Sequence, residues 1–252
     1  MTVTEFGNHH AEILLLLHGG GLSWWNFRSA ARLLEQHYHV VLPALDGHAG
    51  SDAPFTTIEA AAERLIQYVD RHLGGRVTVL GGVSLGGQIA LEILARRPDI
   101  CRYALIESTL AKPMKLTQAL IGPSVRMSYG LIRRRWFARL QSEYLGIPEE
   151  LFEDYYRDTR AIGKEDMVAF MEANCGFRPD AALARTEARV KLLAGTREPG
   201  SIRASGSLLR ELIPGSQLEL LPGLGHGQLS ITQPERYAEI LRRWTQAETE
   251  DL

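Results

Sequence analysis

Val77-Thr-Val-Leu-Gly-Gly-Val-Ser-Leu-Gly-Gly87 is the stretch on which the reading of this chain turns. An apolar run, Val77–Leu80, meets Gly81-Gly82. Residues Leu85–Arg96 then take up helical spacing and stop before Pro98, as the residue before a proline disfavours the helical region. Between them Gly82-Val83-Ser84-Leu85-Gly86 fits the pattern Gly-x-Ser-x-Gly. Five residues match such a pattern by chance often enough. A strand before it and a helix after it are what give it meaning, against the plainer reading of a glycine-rich turn. A serine at so sharp a turn sits on strained backbone, and small neighbours are needed because backbone segments come close there. The N-terminus of the following helix turns its positive end toward any oxyanion formed at Ser84.

Other apolar runs are punctuated in the same way. Ile13–Leu17 ends at His18-Gly19-Gly20-Gly21, and His39–Leu42 ends at Pro43. Tyr103–Ile106, Val190–Ala194 and Leu218–Leu221 follow. Such continuous runs suit strands buried on both faces of a parallel sheet. Helical patterns lie between them, over Phe27–His37, Ile58–Leu73 and Pro234–Gln246. The alternation predicts an α/β protein with a doubly wound, mostly parallel sheet. From Leu110 to Asp180 no strand signal appears, and breaks at Gly122-Pro123, Gly146-Ile147-Pro148 and Gly163 divide a helical stretch. We therefore expect a core of residues 1–109 and 182–252, interrupted by a helical cap at 110–181.

Composition narrows the functional classes. The 252 residues are 45% hydrophobic and 23% charged, which suits one globular unit. A formal net charge of -2 makes no case for nucleic acid, which needs a basic face. The N-terminus lacks the basic start and apolar run of a signal peptide, and no apolar run nears the roughly 20 residues that span a bilayer. The expectation is a cytoplasmic protein with a small-molecule substrate, no membrane and no cofactor. Cys101 and Cys175 stand outside metal-ligand spacing and read as reduced thiols, so no metal is expected. The His18-Gly-Gly-Gly run lacks the Lys and Ser/Thr of a phosphate loop.

Nucleophilic chemistry at Ser84 needs a base and two preplaced N–H donors for the developing oxyanion. The amide of Leu85 supplies one donor and that of Gly20 or Gly21 the other. His226, in Gly223-Leu-Gly-His-Gly227 after the last apolar run, is the base candidate. His37, His39 and His72 sit near element ends, and His18 and His48 read as structural. Trp24, Trp25, Tyr129, Trp136, Phe137 and Tyr144 could line an apolar pocket or simply pack cap against core. Lys112–Arg139 carries seven basic residues and no acidic one. That is a solvated basic helix, or a source of arginines that hold a substrate carboxylate. Trp25, Arg126 and Trp136 are the substrate-binding candidates.

Taken together these features resemble the α/β-hydrolase superfamily, in its branch of small capped esterases, over almost the whole chain. The resemblance rests on the elbow at Ser84, the His18-Gly19 loop followed by Trp25, Asp46-Gly47-His48-Ala49-Gly50-Ser51-Asp52, the helical insertion and His226. It implies a nucleophile–acid–histidine order along the chain. It also implies ester cleavage of a small to medium acyl group through an acyl-enzyme, without a cofactor. It places the acid in Gly195-Thr-Arg-Glu-Pro199, where Glu198 stands in place of the usual aspartate. Glu107 is the rival, since some members carry their acid at the end of the strand after the elbow. A dyad without an acid is a third arrangement. The same residues would also suit a C–C hydrolase, lyase or synthase acting on an acidic substrate, or a receptor-like binding protein.

Overall fold

The computed structural model describes residues 1–246. Its strands are β1 (Val3–Phe6), β2 (Glu12–Leu17), β3 (Tyr38–Pro43), β4 (Val77–Val83), β5 (Cys101–Glu107), β6 (Arg189–Gly195) and β7 (Gln217–Leu221). They form one sheet of seven strands in the order β1-β3-β2-β4-β5-β6-β7. All pairings are parallel except β1 with β3. The six expected strands all form, each slightly longer than its apolar run. β1 was not foreseen, because an edge strand reading Val-Thr-Glu-Phe is only half-buried and carries no apolar run. β4 also runs through Gly81 and Gly82 rather than ending there, since Gly82 pairs with both Leu17 and Ile106.

The helices are α1 (Arg28–Leu34), α2 (Ile58–His72), α3 (Leu85–Arg96), α4 (Lys115–Ile132), α5 (Arg135–Leu145), α6 (Phe152–Ala161), α7 (Lys164–Gly176), α8 (Gly200–Leu212), α9 (Gln228–Thr232) and α10 (Pro234–Gln246). Alternate residues of each strand point to opposite sheet faces. Leu15 and Leu17 accordingly pack with α2 and α3 on one face, and Leu14 and Leu16 with α1 and α10 on the other. Helix α8 escaped the sequence reading because two of its four buried positions are Ser205 and Gly206, which break the apolar period. Helices α4 to α7 all fall between β5 and β6, within the stretch expected to form the cap. Residues 247–252 of the expected core lie outside the described residues.

The strand order reverses next to β2: the chain adds β3 on one side and β4 on the other. In sheets of this kind ligands bind at that switch point, beyond the carboxyl ends of the strands. Here it sets the glycine loop after β2 beside the turn after β4.

Candidate active site

Ser84 is the single residue between β4 and α3, with φ 53° and ψ −114°. A positive φ on a residue with a Cβ is strained, and it persists only where the surroundings dictate it. They do so here by close approach. A Cβ on Gly86 would run into the carbonyls of Leu17 and His18, and one on Gly82 into the backbone of Gly86. The Ser84 amide donates to the Glu107 carbonyl at 2.9 Å, which ties the turn to β5.

The Ser84 hydroxyl lies 3.0 Å from Nε2 of His226, and Nδ1 of His226 lies 2.9 Å from Oε2 of Glu198. A carboxylate only accepts, so Nδ1 carries a proton toward Glu198 and Nε2 is left to accept from the hydroxyl. Oε1 of Glu198 accepts from the Gly195 amide and from the Ser108 hydroxyl, each at 2.8 Å. Burial pushes the Glu198 carboxyl upward, but these hydrogen bonds and the adjacent His226 outweigh it and hold the group below its ordinary value. The glutamate's extra methylene is taken up by a side chain that folds back onto its own loop at Gly195.

Sequence reasoning missed Ser108. It is buried at the end of β5 with φ 53°, another strained position on a residue with a Cβ. Its hydroxyl donates to Glu198 and accepts from the Gly227 amide at 3.0 Å, linking the acid to the histidine loop. A serine following Ile106-Glu107 carries no local signal of this role.

Glu107 is not placed on His226. Its Oε1 accepts from the amides of Leu229 and Ser230, so it caps α9, the short helix that follows the histidine. Burial raises its pKa from 4.5 to about 7. A carboxyl whose folded pKa is raised gives stability that is full below the unfolded value and lost as pH rises through the folded one. Stability to urea should therefore fall by on the order of 1–3 kcal/mol between about pH 4.5 and about pH 7. Glu107→Gln should flatten that part of the profile. An unchanged slope in the variant would assign the titration elsewhere.

The loop after β2 decides between the two glycine donors. His18 and His48 are buried, and burial holds their pKa values at about 3 and about 4, so both are neutral. Each accepts on Nε2: His18 from the Leu45 amide at 3.1 Å, His48 from the Gly21 amide at 3.0 Å. Gly21 is thus withdrawn from the pair of candidates, because its N–H is already spent on His48. Among the described residues the amides of Gly20 and Leu85 donate to no protein acceptor, and Gly20 lines the cavity at Ser84.

Residues 14–240 match the Alpha/beta hydrolase family. The chain belongs to this family. It is an α/β-hydrolase enzyme. It is 25% identical to Lipase 1 of Psychrobacter immobilis over 90% of this chain and 74% of that protein. It is 26% identical to a pimeloyl-[acyl-carrier protein] methyl ester esterase of Neisseria meningitidis serogroup C, over 90% and 91% of the two chains. Among solved structures it is similar to a thermophilic esterase from Thermogutta terrifontis, with a TM-score of 0.77 and 23% identity over 98% of this chain and 93% of that one. Among the described residues no helix is long and apolar enough to cross a membrane.

The hydrolase has a cavity of about 70 Å³ at Ser84 and His226, walled by Leu22, Val83, Leu145, Ile147 and Ile231. Gly20, Leu22 and Leu145 are shared with a second space of about 360 Å³ beneath the cap. Val125, Ile132, Phe137, Met167 and Phe170 make that space apolar. Among the described residues no Lys, Arg, Asp or Glu lines either one.

The three substrate-binding candidates lie elsewhere. Trp25 is buried, but its indole N–H donates to Asp158 of α6 at 2.9 Å and locks cap to core. Arg126 faces outward beside Lys164 and Glu165, and Trp136 is 59% exposed. On α5, Arg135 pairs with Glu153 of α6, and Arg139 with Glu149 in the turn before α6. For Arg126 and Trp136 the helical period places the residue on a cap helix but does not set how that helix is rotated over the sheet. Of the aromatic group singled out in the sequence, Phe137 does face the cavity.

Metal-type donors do meet elsewhere in the hydrolase, which the spacing had not revealed. Glu5, His9 and His39 hold ligand atoms within 4.8 Å of one another. The Glu5 carboxylate there serves both imidazoles, at 3.3 and 3.1 Å. The cluster sits at the amino end of β3, the opposite end of the sheet from Ser84.

Proposed function

We propose that this hydrolase cleaves carboxylic esters of small to medium apolar acyl groups through an acyl-enzyme on Ser84. The observation that carries the proposal is the chain of hydrogen bonds from Glu198 through His226 to Ser84, opening onto an uncharged apolar cavity. Ser84 Oγ attacks the ester carbonyl as His226 Nε2 takes its proton, and Glu198 stabilises the imidazolium. The Gly20 and Leu85 amides receive the oxyanion. The imidazolium returns the proton to the departing alkoxide. A water deprotonated by His226 then attacks the acyl carbonyl and regenerates Ser84. Lipases and esterases among the relatives favour the same reaction. A C–C hydrolase or lyase acting on an acidic substrate calls for a cation in the cavity, and no lysine or arginine supplies one among the described residues.

A fluorophosphonate probe tests the reading: the folded enzyme should be labelled stoichiometrically, on the peptide bearing Ser84. A well-folded protein that resists the probe would sink it. Acyl length should be read in the space beneath the cap. Ser128→Trp, which fills that space, should lower kcat/KM for an octanoate ester by about 10–100-fold and leave acetate within a few-fold. Equal losses on both esters would place the acyl group somewhere else.

A further inference from the structure

Helices α4 and α5 roof the acyl cavity. Their inner faces supply Val125, Ser128 and Ile132 from α4 and Phe137, Gln141 and Leu145 from α5. Both outer faces therefore look away from it, and both are apolar. On α4, Leu116, Leu120, Met127 and Leu131 are 78%, 55%, 86% and 43% exposed. At 3.6 residues per turn these four fall in a stripe about 60° wide. On α5, Trp136, Leu140 and Tyr144 follow at intervals of four and are 59%, 56% and 88% exposed. Exposed apolar stripes on two helices that pack together mark an interaction site.

Its charge says what kind. Lys112, Lys115, Arg126, Arg133 and Arg134 are exposed around the stripes, and Glu143 is the one acidic residue on α4 or α5. We propose that the outer face of α4 and α5 docks on an anionic lipid surface. Leucine, methionine and tryptophan side chains enter the boundary between head groups and acyl chains, and lysine and arginine meet the phosphates. A second copy of the chain fits less well, since a two-fold contact sets the same cations against each other. The sequence-based expectation of no membrane rested on the lack of a spanning segment, and a peripheral contact needs none. The consequence for catalysis rests on the ester-hydrolase reading: the docked face is the roof of the cavity, so esters held in a lipid surface lie next to their binding space.

Vesicle co-sedimentation tests the docking on Ser84→Ala protein, so that turnover plays no part. Binding to phosphatidylcholine vesicles containing phosphatidylglycerol should exceed binding to phosphatidylcholine alone by about 10-fold or more at low salt, and fall as salt is added. In that background Leu120→Glu with Met127→Glu, both exposed and neither on the cavity, should abolish it; made in the enzyme that keeps Ser84, the same pair should leave turnover of a soluble ester unchanged. Arg133→Glu with Arg134→Glu should remove the preference for anionic lipid. Absence of binding to anionic vesicles, or binding that the Leu120/Met127 variant retains, would overturn the proposal. So would a wild-type dimer that the same variant dissolves without any vesicle binding, which would make the face a self-interface. Because docking is read without turnover, failed ester hydrolysis and failed docking are separate results.

Discussion

Replacing Ser84 with alanine should lower kcat for a p-nitrophenyl ester by about 10⁴–10⁶-fold and leave KM within a few-fold. In the proposed mechanism the hydroxyl oxygen forms the acyl bond, and its partner at 3.0 Å is the only base at the elbow among the described residues. Ser84 does not line the proposed acyl space beneath the cap, so ground-state binding should survive. His226→Ala should cost a similar factor, and the double variant little more, because the two side chains act as one unit. Residual activity above about one per cent in Ser84→Ala would mean that water, rather than the serine, attacks the substrate. The fold itself should not suffer: Ser84 φ is 53°, and alanine carries the same Cβ strain as serine.

The second large effect separates the two carboxylates. Glu198→Ala should lower kcat by about 10³–10⁴-fold, through loss of the tautomer and orientation of His226 and of the charge beside the imidazolium. Glu107→Gln should cost less than about 10-fold, since an amide oxygen can still cap α9. Both are measured by initial rates on one soluble ester, with circular dichroism to check folding. If the two losses came out in the reverse order, Glu107 would be the acid and the contact at 2.9 Å would be incidental. Glu198→Asp is a finer probe. The shorter arm draws the carboxylate back from Nδ1 and from Ser108, so an intermediate loss is expected.

Much of this was legible in the chain. The elbow could be read because its demands are local: small residues at Gly82 and Gly86, a serine between strand and helix, a helix start at Leu85. Most strands of the expected sheet could be read because burial on both faces leaves a near-continuous apolar run, while the partly buried edge strand β7 was read from Leu218, Leu220 and Leu221. The order of nucleophile, acid and histidine came from the family resemblance, which pointed to Glu198 and left Glu107 as a rival.

Other parts of the site were out of reach of any local pattern. Whether Gly20 or Gly21 keeps a free amide depends on His48, 27 residues on from Gly21 and brought back to the glycine loop by the next strand, β3. Ser108 matters because β5 ends between the acid loop and the histidine loop, two segments far along the chain. Glu107 and Glu198 both end strands near His226, and only the packing of α9 over Glu107 sends that carboxylate to backbone amides instead. Trp25, Arg126 and Trp136 were plausible by composition; the rotation of the cap helices places Arg126 and Trp136 elsewhere, and Trp25 is turned onto Asp158 of the cap.

By itself, then, the sequence determined the layered α/β sheet, the strained turn at Ser84 and the family of chemistry it serves, because steric need at a turn and burial of a strand are written in neighbouring residues. Only the tertiary structure decided which glycine amide is left open beside Ser84, which carboxylate meets the histidine, what shape the space beneath the cap takes and which cap face is left bare. Those are relations between segments whose approach is set by packing across the whole sheet, and no window of neighbouring residues contains them.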